Sequence, residues 1–154
     1  HTAYRRQRQM CIRDRFETMD AAGGVGLAAN QVGVSKRVFV YSCQGMRGHL
    51  VNPSWRPVGN ATQIGPEGCL SVPGVRANIA RHTAVIATGE DAFGRPMAIS
   101  ASGLLARCIQ HESDHLDGVF FLRNMDPDDR RRAMEHIRDA QWFSERPEEG
   151  APCG

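Results

Sequence analysis

Between Ile109 and Gly118 the chain reads IQHESDHLDG, which contains the pattern His-Glu-x-x-His at His111, Glu112 and His115. On a helix, residues four apart project from one face, so both imidazoles can reach a single ion. Glu112, one position round from His111, can take a proton from water beside that ion without being a ligand. These are the residues of a metal-dependent hydrolase, in which the ion acidifies water and a carboxylate accepts the proton. A chance pair of histidines is the simpler account, and it predicts side chains that face solvent. Here Leu104 and Cys108 continue the face of the two histidines at i, i+4, i+7 and i+11. The pair therefore points inward, where an unpartnered polar group is costly. A catalytic metal of this kind takes three protein ligands and keeps one position open. The motif supplies two.

Two places offer a third. Downstream, Glu135 lies 24 residues after His111, an arrangement similar to zinc peptidases whose third ligand is a glutamate on a later helix. Its surroundings, RRRAMEHIRD, mix both signs as a solvated helix face does, and that bland reading of Glu135 is preferred. Upstream, Cys69 sits in GPEGCLSVPG between Gly68 and Leu70, where a loop is expected to enter a strand. A thiolate there would complete a Cys-His-His set. A lone cysteine is more often a small buried residue, and spacing alone favours that account. The glycine before Cys69 and the proline after Val72 nevertheless imply a constrained, close-approaching backbone. A further segment, GVGLAANQVG from Gly24 to Gly33, lacks the third glycine and the preceding strand of a phosphate loop. It reads as a helix stop and a turn, and it adds a polar amide, Gln31, after a run of small residues.

The elements that must position these residues follow from composition and pattern. The 154 residues allow one domain with a hydrophobic core. With 41% hydrophobic and 23% charged residues the chain falls in the globular range, which excludes a disordered or fibrous protein. A net charge of +2 demands no nucleic-acid partner. No apolar run approaches the ~18 residues of a membrane span, and the first residues lack a signal peptide's apolar core. Five scattered cysteines, an odd count, argue against a disulfide framework and for a reducing cytoplasm.

The chain begins at His1 rather than Met, which implies a fragment or a processed form. FETMDAAGG is expected to form the last turns of a helix stopped by Gly23 and Gly24. Arg37 to Cys43 alternates like a strand, HLVNPSWRPVG reads as a second ended by Pro57 and Gly59, and HTAVIATGEDAFGRPMAIS reads as a hairpin turning at Asp91 to Gly94. The metal-binding helix starts near Ser102 and closes at Gly118. VFFL is expected as a short strand, and Asp126 with Pro127 opens another helix. The fold class is α+β: mostly antiparallel strands packed around a central metal-binding helix, with a C-terminal helix.

Taken together and in order, GVGLAANQ, EGCLS and QHESDH resemble the three signature motifs of the peptide deformylase family. The resemblance runs from about Phe16 to about Phe143. It implies that Cys69, His111 and His115 bind one divalent metal ion, commonly Fe(2+) with Zn(2+), Ni(2+) or Co(2+) as substitutes. It implies that Glu112 is general base and then acid, and that Gln31 and the Leu70 N–H stabilise the oxyanion. Gly26 matches the glycine that lets the first loop lie close to the site. Val25, Leu104 and Cys108 match the pocket for a methionine side chain, and Arg76 matches an arginine near the bound peptide. The implied reaction is metal-dependent hydrolysis of the N-formyl group from N-formylmethionyl peptides and nascent chains, in the cytoplasm, by a monomer without membrane or direct nucleic-acid binding. Two rivals are a zinc peptidase using Glu135 and a decayed, non-catalytic relative. Glu112 speaks against the second, since a structural metal site needs no base.

The sequence departs from the family pattern at its start. Residues 1–15 form an atypical basic segment that is expected to be foreign to the domain, residues 16–143 the catalytic domain, and residues 144–154 a disordered Pro/Gly/Glu-rich tail. Arg107 occupies a position beside Cys108 where the family commonly has an apolar residue. Its stem is expected to cover apolar surface while its charge reaches water, or else to contact the peptide beyond methionine. The basic run Arg130 to Arg132 offers a ribosome-facing patch, although a solvated helix face accounts for it as well.

Overall fold

The structure is a computed structural model and describes residues 2–140; the expected C-terminal tail lies outside the described residues. Helix α1 (Thr2–Ala21) leads into a short strand β1 (Gly26–Ala28) and a 3-10 turn (Ala29–Val32). Strands β2 (Val38–Cys43), β3 (Met46–Pro57), β4 (Thr62–Cys69), β5 (Val72–His82), β6 (Ala84–Glu90) and β7 (Pro96–Ser102) follow. Helix α2 (Gly103–Leu116), a second 3-10 turn (Phe121–Asn124) and helix α3 (Pro127–Asp139) complete the described residues. All strand pairings are antiparallel. One sheet has the order β1-β2-β3-β6-β7, and β4-β5 stands apart as a hairpin.

The five-stranded sheet is covered on both faces because β2 has two apolar faces. Successive strand residues point to opposite sides. Phe39, Tyr41 and Cys43 accordingly pack with Leu105, Ala106 and Ile109 of α2, while Val38 and Val40 pack with Cys11, Ile12 and Met19 of α1. The hairpin closes a third cluster, in which Val72, Val75 and Ile79 meet Phe121 and the Ala133 and Ile137 face of α3. Residues 2–15, within the segment noted as atypically basic, form the first turns of α1, and Cys11 and Ile12 there are buried.

Local chemistry sets the element ends. At the end of α1 the Gly24 N–H reaches the Met19 carbonyl and the Gly23 N–H that of Asp20, with Gly23 at φ +66°, a left-handed stop. The end of α2 repeats this with Val119 to Asp114 and Gly118 to His115. Helix α3 starts as its sequence suggests, with the Asp126 carboxylate accepting from the Asp128 N–H at 2.9 Å and Pro127 in the first turn.

Several expectations are corrected. GVGLAANQVG holds strand β1 and a 3-10 turn rather than a turn alone. The β4-β5 hairpin was not expected as a unit, and Cys69 closes β4 instead of preceding a strand. VFFL is not a strand. Phe121 turns inward in the 3-10 segment and packs against the His111 ring at 5.8 Å, because the chain must pass directly from α2 to α3. Helix α2 is not one-faced either: Leu105 to Ser113 are all buried, since the sheet covers one side and the hairpin another. Leu104, assigned to the inward face, is 40% exposed. Among the described residues no helix is long and apolar enough to cross a membrane.

Ile109 is fully buried between the sheet and the helix that carries both histidines. Ile109→Ala is expected to cost about 2–5 kcal/mol, read as a lower midpoint in urea unfolding followed by circular dichroism.

Candidate active site

The three proposed ligands come from two bodies. Cys69 ends β4 at a register shift beside Gly68, and His111 and His115 lie one turn apart on α2. All three are buried, and their ligand atoms lie within 4.8 Å of one another. Cys69 Sγ is 3.2 Å from His115 Nε2, which is 3.0 Å from His111 Nε2. Atoms bonded to one ion at about 2.0–2.3 Å stand roughly 3–4 Å apart, so this set fits a single metal ion. The outer nitrogen of His111 is also fixed: its Nδ1 lies 2.8 Å from Glu67 Oε2, which leaves Nε2 to face the other ligands. Glu135 takes no part, since it lies exposed on α3, outside this cluster.

Glu67 is the residue the sequence reading missed. Its Oε1 accepts from Arg81 Nε at 2.8 Å and from Arg107 Nη1 at 2.9 Å, and its Oε2 accepts from Arg81 Nη2 at 3.0 Å. Arg81 also reaches Asp114 at 2.6 Å, and Gln110 binds both the N–H and the carbonyl of His82. A signal was present: residues i and i+2 of a strand share a face, so an acid two before a ligand cysteine points to the same place. Arg107 itself corrects an expectation. It is 6% exposed and its guanidinium bonds the hairpin instead of reaching into water, although the side chain also lines the cleft.

Electrostatics follow from these contacts. Burial alone would raise the Glu67 carboxyl, but hydrogen bonds from His111 and Arg81 overturn it and bring the pKa to about 2. Burial likewise opposes the Cys69 thiolate, and the two histidines reverse the balance, lowering it to about 5. His111 is raised in turn by Cys69 and Glu67, against its own burial. Glu112 is pushed up to about 7 by burial, opposed by the two histidines. Its Oε2 has no hydrogen-bond partner. Burial also drives the Cys108 thiol upward, so it stays protonated.

These groups open onto a cleft of ≈ 800 Å³. Val25 (47% exposed) and Leu104 line it, with buried Cys108 between. Gln31 points its Nε2 at Cys69 Sγ (3.3 Å) and Ser71 Oγ (3.2 Å), while its Oε1 accepts from the Ala28 N–H at 2.7 Å. Leu70 follows Cys69 in the turn, and Arg76 lines the cleft from β5. Gly26 is required by space: a Cβ there would stand 2.6 Å from Glu112 Oε1 and 2.7 Å from Cys108 Sγ. All of the residues named from the motifs line this cleft except His115, which lies buried behind it against Cys69 and His111.

The family model for polypeptide deformylase matches residues 2–131. The chain belongs to that family. It is 57% identical to peptide deformylase 1 of Corynebacterium efficiens over 137 residues, 86% of this chain and 81% of that protein. It is 50% identical to the peptide deformylase of Acidothermus cellulolyticus over 141 residues, 92% of this chain and 78% of that one. Among solved deformylases, the Legionella pneumophila structure superposes with a TM-score of 0.82 at 37% identity, covering 92% of this chain and 85% of that chain. The Synechococcus elongatus deformylase, solved with actinonin, gives 0.77 at 37% identity, covering 85% and 74%.

The depressed Glu67 carboxyl makes a pH prediction. A group at about 2 in the folded chain and at 4.5 ordinarily contributes stability that is fully present above about 4.5 and lost as pH falls through about 2. The linkage is worth about 3 kcal/mol. In chelator-treated protein, Glu67→Gln should flatten this part of the acid slope of unfolding free energy, measured by urea titrations at a series of pH values.

Proposed function

We propose that this deformylase removes the N-formyl group from N-formylmethionyl peptides and nascent chains, releasing formate. The observation that carries the reading is the convergence of Cys69, His111 and His115, with Cys69, His111 and the buried, base-competent Glu112 lining one open cleft. A bound divalent ion would supply the Lewis acidity that makes water nucleophilic near neutral pH. The donor set suits a first-row divalent ion, and the family resemblance implies Fe(2+), with Zn(2+), Ni(2+) or Co(2+) as substitutes.

The chain's own groups do the rest. Glu112 accepts a proton from the attacking water, and its elevated pKa of about 7 suits a group that must take a proton and return it. As the oxygen adds to the formyl carbon, charge develops on the formyl oxygen, where the Gln31 amide and the Leu70 N–H would meet it. Each such donor is worth ~2.7–4 kcal/mol. The C–N bond then breaks, Glu112 delivers its proton to the amine, and formate and a free N-terminus leave. Gly26 lets β1 approach closely, Val25, Leu104 and Cys108 take the methionine side chain, and Arg76 contacts the peptide beyond it.

The setting that suits this substrate is the bacterial-type cytoplasm, with a monomer acting on chains as they leave the ribosome. The run Arg130 to Arg132 is better explained as a solvated helix face than as a ribosome contact, because Arg131 and Arg132 pair with Asp128 and Asp129 on the same helix. A zinc peptidase using Glu135 lacks support from the exposed position of that residue. A non-catalytic relative lacks support from Glu112, buried with one oxygen unpartnered.

Anaerobically nickel-loaded protein should release formate from a short N-formylmethionyl peptide. Glu112→Ala should retain metal and lose activity about 10²–10⁴-fold, Cys69→Ala should fail to retain metal, and Glu135→Ala should change neither. Formate assays paired with metal analysis decide among these; retention of metal by Cys69→Ala with loss in Glu135→Ala would reverse the assignment.

A further inference from the structure

Arg107 takes no part in the reaction proposed above, yet it is buried with its guanidinium against four acceptors. Nη1 lies 2.9 Å from Glu67 Oε1, 2.8 Å from the Ile79 carbonyl and 3.3 Å from the Gly65 carbonyl, and Nη2 lies 3.3 Å from the Gln63 carbonyl. Gln63, Gly65 and Glu67 belong to β4 and Ile79 to β5. One side chain of α2, a turn before His111, therefore grips both strands of the hairpin that ends in Cys69.

That grip matters because of the topology. The hairpin has no strand pairing with the five-stranded sheet, so no ladder sets its distance from α2. Side-chain bonds across the junction must do so. Glu67 is shared: its Oε1 is held by Arg107 and Arg81, while its Oε2 holds His111 Nδ1. A rigid planar fork fixes several acceptors at once in a way a flexible ammonium cannot. Gly65 fits the same account. A Cβ at that position would stand 3.2 Å from Arg107 Nη2, so β4 leaves room for the guanidinium where it crosses.

We propose that Arg107 is a positioning residue of the metal centre: by binding Glu67 and three hairpin carbonyls together, it sets the Cys69-bearing hairpin against the helix that bears His111 and His115. The inference rests on the reading of those three residues as ligands. Metal–ligand distances tolerate only about 0.2 Å, so a small shift of the hairpin weakens the thiolate bond before it unfolds the protein.

The test uses cobalt(II), loaded anaerobically, with two readouts that need no turnover. One is affinity by competition with a chromophoric chelator, and the other is the thiolate-to-cobalt charge-transfer absorption, which reports the Cys69 bond. Arg107→Met is expected to lose about 10–100-fold in affinity, the usual range for groups that orient ligands, with a weakened charge-transfer band. Gly65→Ala, a milder variant that displaces the guanidinium without removing it, should move both readouts in the same direction by less. Val51→Ala, a core truncation in β3 within the cluster that packs on α1 and holds no residue of α2 or the hairpin, controls for lost stability and should leave both unchanged in its folded state. Wild-type affinity and band in folded Gly65→Ala and Arg107→Met would overturn the inference. Absence of the band in the parent protein would instead overturn the ligand assignment on which it stands.

Discussion

One buried carboxylate holds this structure's two halves in register. Glu67 is in contact with Arg81, Arg107 and His111 at distances of 2.8–3.0 Å. Burying charges costs several kcal/mol per ion unless geometry and hydrogen bonding compensate, so a node of this kind is a poor source of net stability. What it does supply is orientation. Loss of Glu67 would leave two buried guanidiniums without their shared acceptor, and loss of either arginine would leave the carboxylate with fewer donors to fix its orientation. The sheet and its two helices form without it, from ordinary apolar packing on the two faces of β2. The docking of the hairpin, and hence the place of Cys69, depends on polar bonds across the junction.

This explains the character of α2. A helix enclosed by a sheet and a hairpin has little solvent face, so its polar residues must find partners inside. Gln110 spans the His82 backbone, Arg107 spans the hairpin, and Asp114 meets Arg81. Glu112 Oε2 and Ser113 Oγ have no partner among protein groups, and of the two Glu112 lines the cleft. An unpartnered buried oxygen beside three converging ligand atoms is costly as structure and useful as a base, and the burial that makes it costly also lifts its pKa toward neutrality.

The sequence made the chemistry more legible than the architecture. His111, Glu112 and His115 declared themselves by helical spacing, and β2, the β6-β7 hairpin and the cap at Asp126 by local pattern. The β4-β5 hairpin did not, because Gly65, Pro66 and Gly68 interrupt the apolar alternation that marks a strand. Each interruption serves a long-range contact: Gly65 leaves room for Arg107, and Pro66 is tolerated in a two-stranded sheet whose outer edge needs no donor. Phe121 looked like a strand residue because a short apolar run does not distinguish a strand from a buried turn. Arg107 looked like a surface residue because its four acceptors, at positions 63, 65, 67 and 79, are distant in sequence and three of them are backbone carbonyls without any sequence signature.

The three motifs are specific as an ordered set because they touch. A Cβ on Gly24 would meet Leu70 Cδ1 at 2.9 Å, and one on Gly26 would strike Glu112 and Cys108, so the first motif is made of small residues by the demands of the second and third. Gln31 of the first contacts Cys69 and Ser71 of the second, and the Asn30 amide donates to the His115 carbonyl of the third. Asn30 thereby fixes the end of α2 against the 3-10 turn while Glu67 fixes its middle against β4. Each motif taken alone permits a bland account, a turn, a buried cysteine or a chance pair of histidines. Their mutual contacts leave no such freedom, since a substitution in one changes the space available to the other two.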